Sequence, residues 1–188
     1  MIDLEHIENK PILILSSPRT GSTMLADSIA EKTGRRFFNE PAQKTITFHK
    51  FLIYDNRQKN YVLKEHTLTF LQKYTDYINQ PLYKIRIRRR NLIDQVISNY
   101  IAVNRKQWLF NEGETITDTI KLDKGYLNDS LEFIKRFNKE TDLFEHKIDL
   151  DLYYEDLNIP NSTTIPTPKP LNHKELTEWA YDILRDNI

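Results

Sequence analysis

Three groups of residues in this chain have the types and spacing that chemistry needs. The first is Ser16-Ser17-Pro18-Arg19-Thr20-Gly21-Ser22-Thr23. Ser17, Thr20, Ser22 and Thr23 offer hydroxyl donors, Gly21 lets backbone come close, and Arg19 brings a permanent cation with forked donors. That set suits an anion. The second is Lys64-Glu65-His66, in which a histidine whose ordinary pKa lies near neutral is placed to act as a general base; a plain structural or surface histidine is the alternative. The third is the run Arg88-Arg89-Arg90, which fits a single phosphate, a solvated basic edge or a nucleic-acid patch.

The elements around these groups decide whether they meet. An apolar run from Ile12 to Leu15 stops at Ser16, and beyond Gly21 the residues Leu25 and Ile29 fall on one helical face. This predicts strand, tight loop and helix. In that arrangement the unpaired N–H groups of the first helical turn and the positive end of the helix dipole converge on one spot, where an anion binds, although a ligand-free polar turn has the same pattern. Phe37-Phe38 predicts a second strand that ends in Asn39-Glu40-Pro41. Glu40 then follows a strand on the same edge as the loop, where ligand sites in open α/β sheets lie; a surface glutamate is the alternative.

Residues 42–60 predict a helix with Phe48, Phe51, Leu52 and Ile53 inward, and residues 61–66 a strand ending in Lys64 and His66. Alternation through Tyr83, Ile85 and Ile87 marks another strand, after which Leu92, Val96, Tyr100 and Val103 take helical spacing from Asn91. The arginine run therefore closes a strand. Residues 108–125 are irregular and predict a lid or acceptor-side loop, residues 126–139 a helix, and residues 144–152 a strand. Residues 158–172 hold four prolines and read as an extended linker before a last helix that starts at Asn172 or His173. Strands alternating with helices predict an α/β protein of three layers, a central, mostly parallel sheet flanked by helices.

Length and composition narrow the function. At 188 residues the chain is expected to form a single domain spanning 1–188. Lys plus Arg and Asp plus Glu are 27 each, so no net field attracts nucleic acid or an acidic membrane. The absence of cysteine removes disulfides, thiol nucleophiles and cysteine metal sites. An acidic N-terminus and the lack of an apolar run of membrane-spanning length lead to the expectation of a cytoplasmic protein without a membrane span.

The loop is not the P-loop of ATP and GTP enzymes, because Ser16 stands at the first glycine of G-x-x-x-x-G-K-[ST] and Ser22 at the lysine. It resembles the phosphosulfate loop of the sulfotransferases, roughly S-x-P-[KR]-[ST]-G-[ST]-[ST], at every position from Ser16 to Thr23. A second segment resembles the 3′-phosphate motif of the same family: Arg90 ends a strand and Ser98 follows eight residues later, with Asp94 at an often acidic position. A serine about two turns into a helix faces back toward the strand's end, so both side chains reach one phosphate. Tyr154 to Leu157 resembles the family's late Y-E-D-L element, with an expected structural role, and Lys64-Glu65-His66 matches the K-x-H of cytosolic members.

The resemblance implies a P-loop NTPase-like sulfotransferase fold and the donor 3′-phosphoadenosine 5′-phosphosulfate (PAPS), used without a metal. It places Ser17, Arg19, Thr20, Gly21, Ser22 and Thr23 on the phosphosulfate and Arg90 and Ser98 on the 3′-phosphate. His66 would take the proton of an acceptor hydroxyl or amine, with Glu40 as its rival, while Arg19, helped by Lys64, would stabilise charge on the leaving bisphosphate. The acceptor is expected to be a small molecule or a carbohydrate. The chain departs from the family in lacking the glycine-rich R-K-G segment near the end, in being short, and in having Leu92 where proline is common. Those departures keep two other readings in view, a nucleotide- or phosphate-binding module without catalysis and a divergent P-loop kinase, and leave the adenine contacts to residues such as 166–173.

Overall fold

The strand predicted from the first apolar run, β1 (Ile12–Ser16), is buried along its whole length. Its position explains why it is apolar on both faces. In the computed structural model, which describes residues 7, 10–43, 50–51, 54–55, 58–66, 79–108, 115–157 and 169–186, β1 is the middle strand of five. The others are β2 (Arg36–Asn39), β3 (Tyr61–His66), β4 (Tyr83–Arg88) and β5 (Leu150–Tyr153), in the order β2-β3-β1-β4-β5, and every pairing is parallel. A parallel sheet needs cover on both faces. Ile12 and Ile14 pack with Leu25, Ala26 and Ile29 of helix α1 (Ser22–Thr33), while Leu13 and Leu15 join Phe38, Phe51, Tyr61, Leu63 and Phe144. The protein is thus α/β, with an all-parallel sheet flanked by helices as the sequence predicts.

Residues 50–51, 54–55 and 58 are helical, in the span where the sequence predicts a helix, and three further helices follow: α2 (Leu92–Arg105), α3 (Lys124–Asp142) and α4 (His173–Asp186). Helices α2, α3 and α4 share one apolar cluster, which includes Val96, Tyr100, Leu131, Ile134 and Leu176. Helix α2 starts where Asn91 accepts the N–H of Asp94 at 3.1 Å, and α3 starts at Lys124, two residues earlier than its apolar spacing indicates, because Asp123 accepts the N–H of Tyr126 at 3.0 Å.

Two other segments differ from expectation. Phe144, read as the start of a strand, is spent in the core cluster, and Glu145–Lys147 turns as a 3₁₀ helix before β5 pairs with β4 from Leu150 onward. The described part of the irregular stretch, residues 115–123, is strapped down rather than free. Ile116 and Ile120 are buried, and Tyr100 Oη donates to the Lys121 carbonyl at 2.8 Å and accepts the N–H of Asp123 at 2.9 Å. Phe51 is buried as predicted, whereas Phe48, Leu52, Ile53 and the proline-rich residues 158–168 lie outside the described residues.

Candidate functional site

Strand register puts the predicted residues on one edge. Ser16 is level with His66 on one side and Ile87 on the other, Asn39 is level with Lys64, and Arg88 is level with Tyr153. Because the strands are parallel, the loop after β1, Glu40 after β2, His66 at the end of β3, the arginines closing β4 and Tyr154 after β5 all emerge at the carboxyl edge. That edge is where open α/β sheets hold ligands.

The loop is fixed from within. Ser16 Oγ donates to Ser22 Oγ at 2.9 Å, and Thr20 Oγ1 donates to the Ser17 carbonyl at 3.1 Å. From α2, the fully buried Gln95 donates through Nε2 to Ser17 Oγ at 2.8 Å and to the Pro18 carbonyl at 2.6 Å. Gln95 carries no sequence signal of its own, since its helix face also holds Asn91, Ser98 and Asn99. Gly21 caps α1 with φ 73°, and Arg19 also lies in the left-handed region at φ 65°. A non-glycine residue at that φ is held by its surroundings. Arg19 Nε donates to Ser98 Oγ at 2.9 Å and Nη1 to the Trp108 carbonyl at 2.7 Å. Burial first, and the charge of Arg89 second, push the Arg19 guanidinium down to about 10, against a smaller upward pull from Tyr154. Thr23 stands half-buried in the first turn of α1.

Across β1, three of the predicted residues meet at one oxygen. Glu40 Oε1 accepts from Lys64 Nζ and lies 3.0 Å from His66 Nε2. Glu40 is brought there by a left-handed turn, φ 48°, and by its N–H donating to the Lys64 carbonyl at 2.8 Å, which extends the β2–β3 ladder by one step. Burial raises the Glu40 carboxyl, but the hydrogen bond from His66 and the charges of Lys64 and His66 outweigh it and bring the group to about 2. Burial lowers both Lys64 and His66; the charge of Lys64 adds to the effect on His66, and Glu40 opposes it on each. At neutral pH the trio is therefore an ionised Glu40 paired with Lys64 beside a neutral imidazole. His66 and Glu40, rivals in the sequence, are parts of one contact.

The arginine run is divided among acids that the sequence reading left unpaired with it. Arg88 Nη2 donates to Asp151 at 2.5 Å, and Arg90 places both Nη atoms on the two Asp156 oxygens at 2.6 Å each. Glu155 accepts the N–H groups of Arg90 and Asn91 at 3.1 Å, so the turn Tyr154–Asp156 docks onto the end of β4. The guanidinium of Arg90 thus lies on Asp156, while Ser98 Oγ accepts from Arg19. Among the described residues no group of three or more His, Asp or Glu side chains is arranged to hold a metal ion, and no helix is long and apolar enough to cross a membrane.

No family model matches the chain, and no curated protein does. Solved structures of similar shape include the following two. Mouse sulfotransferase SULT7A1 complexed with PAP is 14% identical, with 96% of this chain and 65% of that one covered and a TM-score of 0.49. An uncharacterized protein from Eubacterium ventriosum is 12% identical, with 77% and 88% covered and a TM-score of 0.40. The chain spans less than two thirds of the length of the mouse protein.

The arrangement has three chemical capacities. The loop presents N–H groups and Arg19 to an anion, the Glu40–His66 pair holds a neutral imidazole in one orientation, and two arginines, 19 and 89, adjoin at the same edge.

Proposed function

We propose that the chain is a sulfotransferase that moves a sulfuryl group from PAPS to a hydroxyl or amine of a small-molecule or carbohydrate acceptor. The observation that carries this reading is the convergence of the loop at 16–23, Arg19 with Ser98, and the Glu40–Lys64–His66 trio on one edge of a parallel sheet. The residues present fit the donor. The first turn of α1 has no side-chain cap, which leaves its N–H groups for a ligand, and Arg19, bonded to Ser98 Oγ, supplies a cation beside them. PAPS supplies the activated sulfuryl group; the residues do the rest.

His66 takes the acceptor's proton. A carboxylate held at about 2 is a weak base at neutral pH, whereas an imidazole below its ordinary 6.5 is neutral there and much closer to the pKa that general-base catalysis favours. The ionised Glu40 accepts the His66 Nε2–H, so both ring nitrogens face oxygens, and the acceptor's hydroxyl or amine must take the place of the Ser16 carbonyl, 3.4 Å away, to reach the Nδ1 lone pair. Proton uptake turns Nδ1 into a donor, so the imidazolium faces an oxygen on each side. Glu40 orients His66 and stabilises its charge, as the carboxylate does in the Ser-His-Asp arrangement. Arg19 offers a cation to the charge that builds on the leaving group, where mostly buried surroundings strengthen its effect.

The test is calorimetric titration with adenosine 3′,5′-bisphosphate in EDTA, beside ATP with magnesium. Tight, metal-independent binding of the bisphosphate that Arg19→Ala abolishes is expected. Binding of neither ligand rules out the donor, and preference for magnesium ATP points to a kinase.

A further inference from the structure

Three consecutive arginines close β4, yet they are bound very differently. Arg88 and Arg90 each donate to a carboxylate at 2.5 to 2.6 Å, and their guanidinium groups lie 4.8 and 4.1 Å from the centre of the Tyr153 ring. Arg89 shares the ring contact, with Tyr154, but has no carboxylate so close. Its Nη1 reaches the Arg19 carbonyl at 3.4 Å, its Nη2 stands 3.6 Å from Asp94, and its Nε stands 3.9 Å from Glu155. Neither distance to a carboxylate is that of a hydrogen bond. Both acids are engaged elsewhere, Asp94 with the Asn91 amide at 2.9 Å and Glu155 with the backbone of Arg90 and Asn91. Arg89 Nε is buried and donates to nothing among the described residues.

A guanidinium so held carries a cost. Its side chain is only 17% exposed, its two carboxylate neighbours stand beyond hydrogen-bond distance, and it lies close enough to Arg19 to lower that residue's pKa. Two adjacent guanidinium groups with donors left over favour an anion between them, and a phosphate oxygen presents the several lone pairs that a guanidinium fork accommodates. The Tyr154 ring, 4.9 Å from the Arg89 guanidinium carbon, holds the side chain beside the loop without using its donors.

We infer that Arg89, and not Arg90, is the second cation of the anion site, paired with Arg19 around a phosphate group of the nucleotide, while Arg90 is a staple that fastens the turn after β5 through Asp156. This rests on the nucleotide reading of the site given above. It reassigns the phosphate contact that the spacing of Arg90 and Ser98 implies, by one residue.

The experiment titrates adenosine 3′,5′-bisphosphate into the wild-type chain, Arg89→Gln and Arg90→Gln, with a thermal melt of each. Arg89→Gln is expected to weaken binding by at least about 30-fold, in the range that loss of a charge-assisted bidentate contact gives. Arg90→Gln is expected to stay within about threefold of wild type while melting at a lower temperature. The reverse pattern, or equal loss in both, overturns the assignment with the nucleotide reading intact. No binding by the wild-type chain removes the nucleotide reading and this assignment with it. If Arg89→Gln does not fold, modification of wild-type arginines with phenylglyoxal decides. The bisphosphate must protect Arg89 and leave the rate at Arg90 unchanged, and protection of Arg90 alone overturns the assignment.

Discussion

Tyr154 lies so close to Gly21 that a Cβ on the glycine would come within 2.5 Å of the Tyr154 ring. The turn after β5 therefore closes directly over the anion loop. Gly21 is needed twice, for its left-handed φ of 73° and for that contact. Gly21→Ala is expected to cost about 1–2 kcal/mol from backbone strain, with a further loss from displacement of the ring. Thermal melting checks this, and Tyr154→Ala in the same chain should recover part of the loss. Full wild-type stability in Gly21→Ala alone would contradict the contact.

The pH dependence of kcat/KM should show an acid limb at the pKa of His66, below the ordinary 6.5, because the neutral imidazole is the active form and burial and Lys64 favour it. Lys64→Met removes a neighbouring positive charge and is expected to move the limb to higher pH. Glu40→Gln removes the neighbouring negative charge and is expected to move it lower. A limb that stays in place in both variants would separate His66 from the reaction.

His66→Ala is expected to reduce kcat by about 10²–10⁴-fold, with affinity for adenosine 3′,5′-bisphosphate within about threefold of wild type. Single-turnover kinetics and calorimetry read the two separately. Loss of nucleotide affinity equal to the loss of rate would make the histidine a binding residue.

Acid should unfold the protein partly through Glu40. Its carboxyl is depressed from 4.5 to about 2 in the folded chain, so the unfolded state binds the proton more readily. The stability that results is complete above about 4.5 and is lost as pH falls toward 2. Glu40→Gln is expected to flatten the melting temperature over that interval. An unchanged slope there would show that other carboxylates carry the acid transition.

Gln95→Leu is expected to cost about 1–3 kcal/mol, since it strands the buried Pro18 carbonyl, and to weaken bisphosphate binding because the loop loses its clamp from α2. A melt beside a titration distinguishes the two effects, and normal affinity with lowered stability would confine Gln95 to the fold.

Much of this was legible from sequence because β1 and α1 advertise themselves. Apolar residues on both faces of Ile12–Leu15 signal a central parallel strand, and the change to Leu25 and Ile29 spacing marks the loop between them. The strand ending in His66 was legible in the same way, whereas its pairing with β1, which sets His66 level with Ser16, was not. What the sequence hid is partnership across long separations. Nothing local in Arg88-Arg89-Arg90 says which of the three meets Asp151 or Asp156, residues more than sixty positions away. The joint contact of Glu40, Lys64 and His66 likewise depends on a left-handed turn at a glutamate, a conformation that residue type does not announce.

The two outer strands, β2 and β5, are four residues each, while the three between them are five or six. Each margin carries a charge, Arg36 on one and Asp151 on the other, and both residues are exposed. A foreign strand seeking to extend the sheet would find few open backbone partners and a charge to bury at either side. Asp151 is held by the buried Arg86 at 3.0 and 2.6 Å as well as by Arg88, so its margin is polar by necessity of the core; at the opposite margin, Arg36→Val should increase light scattering in concentrated solution.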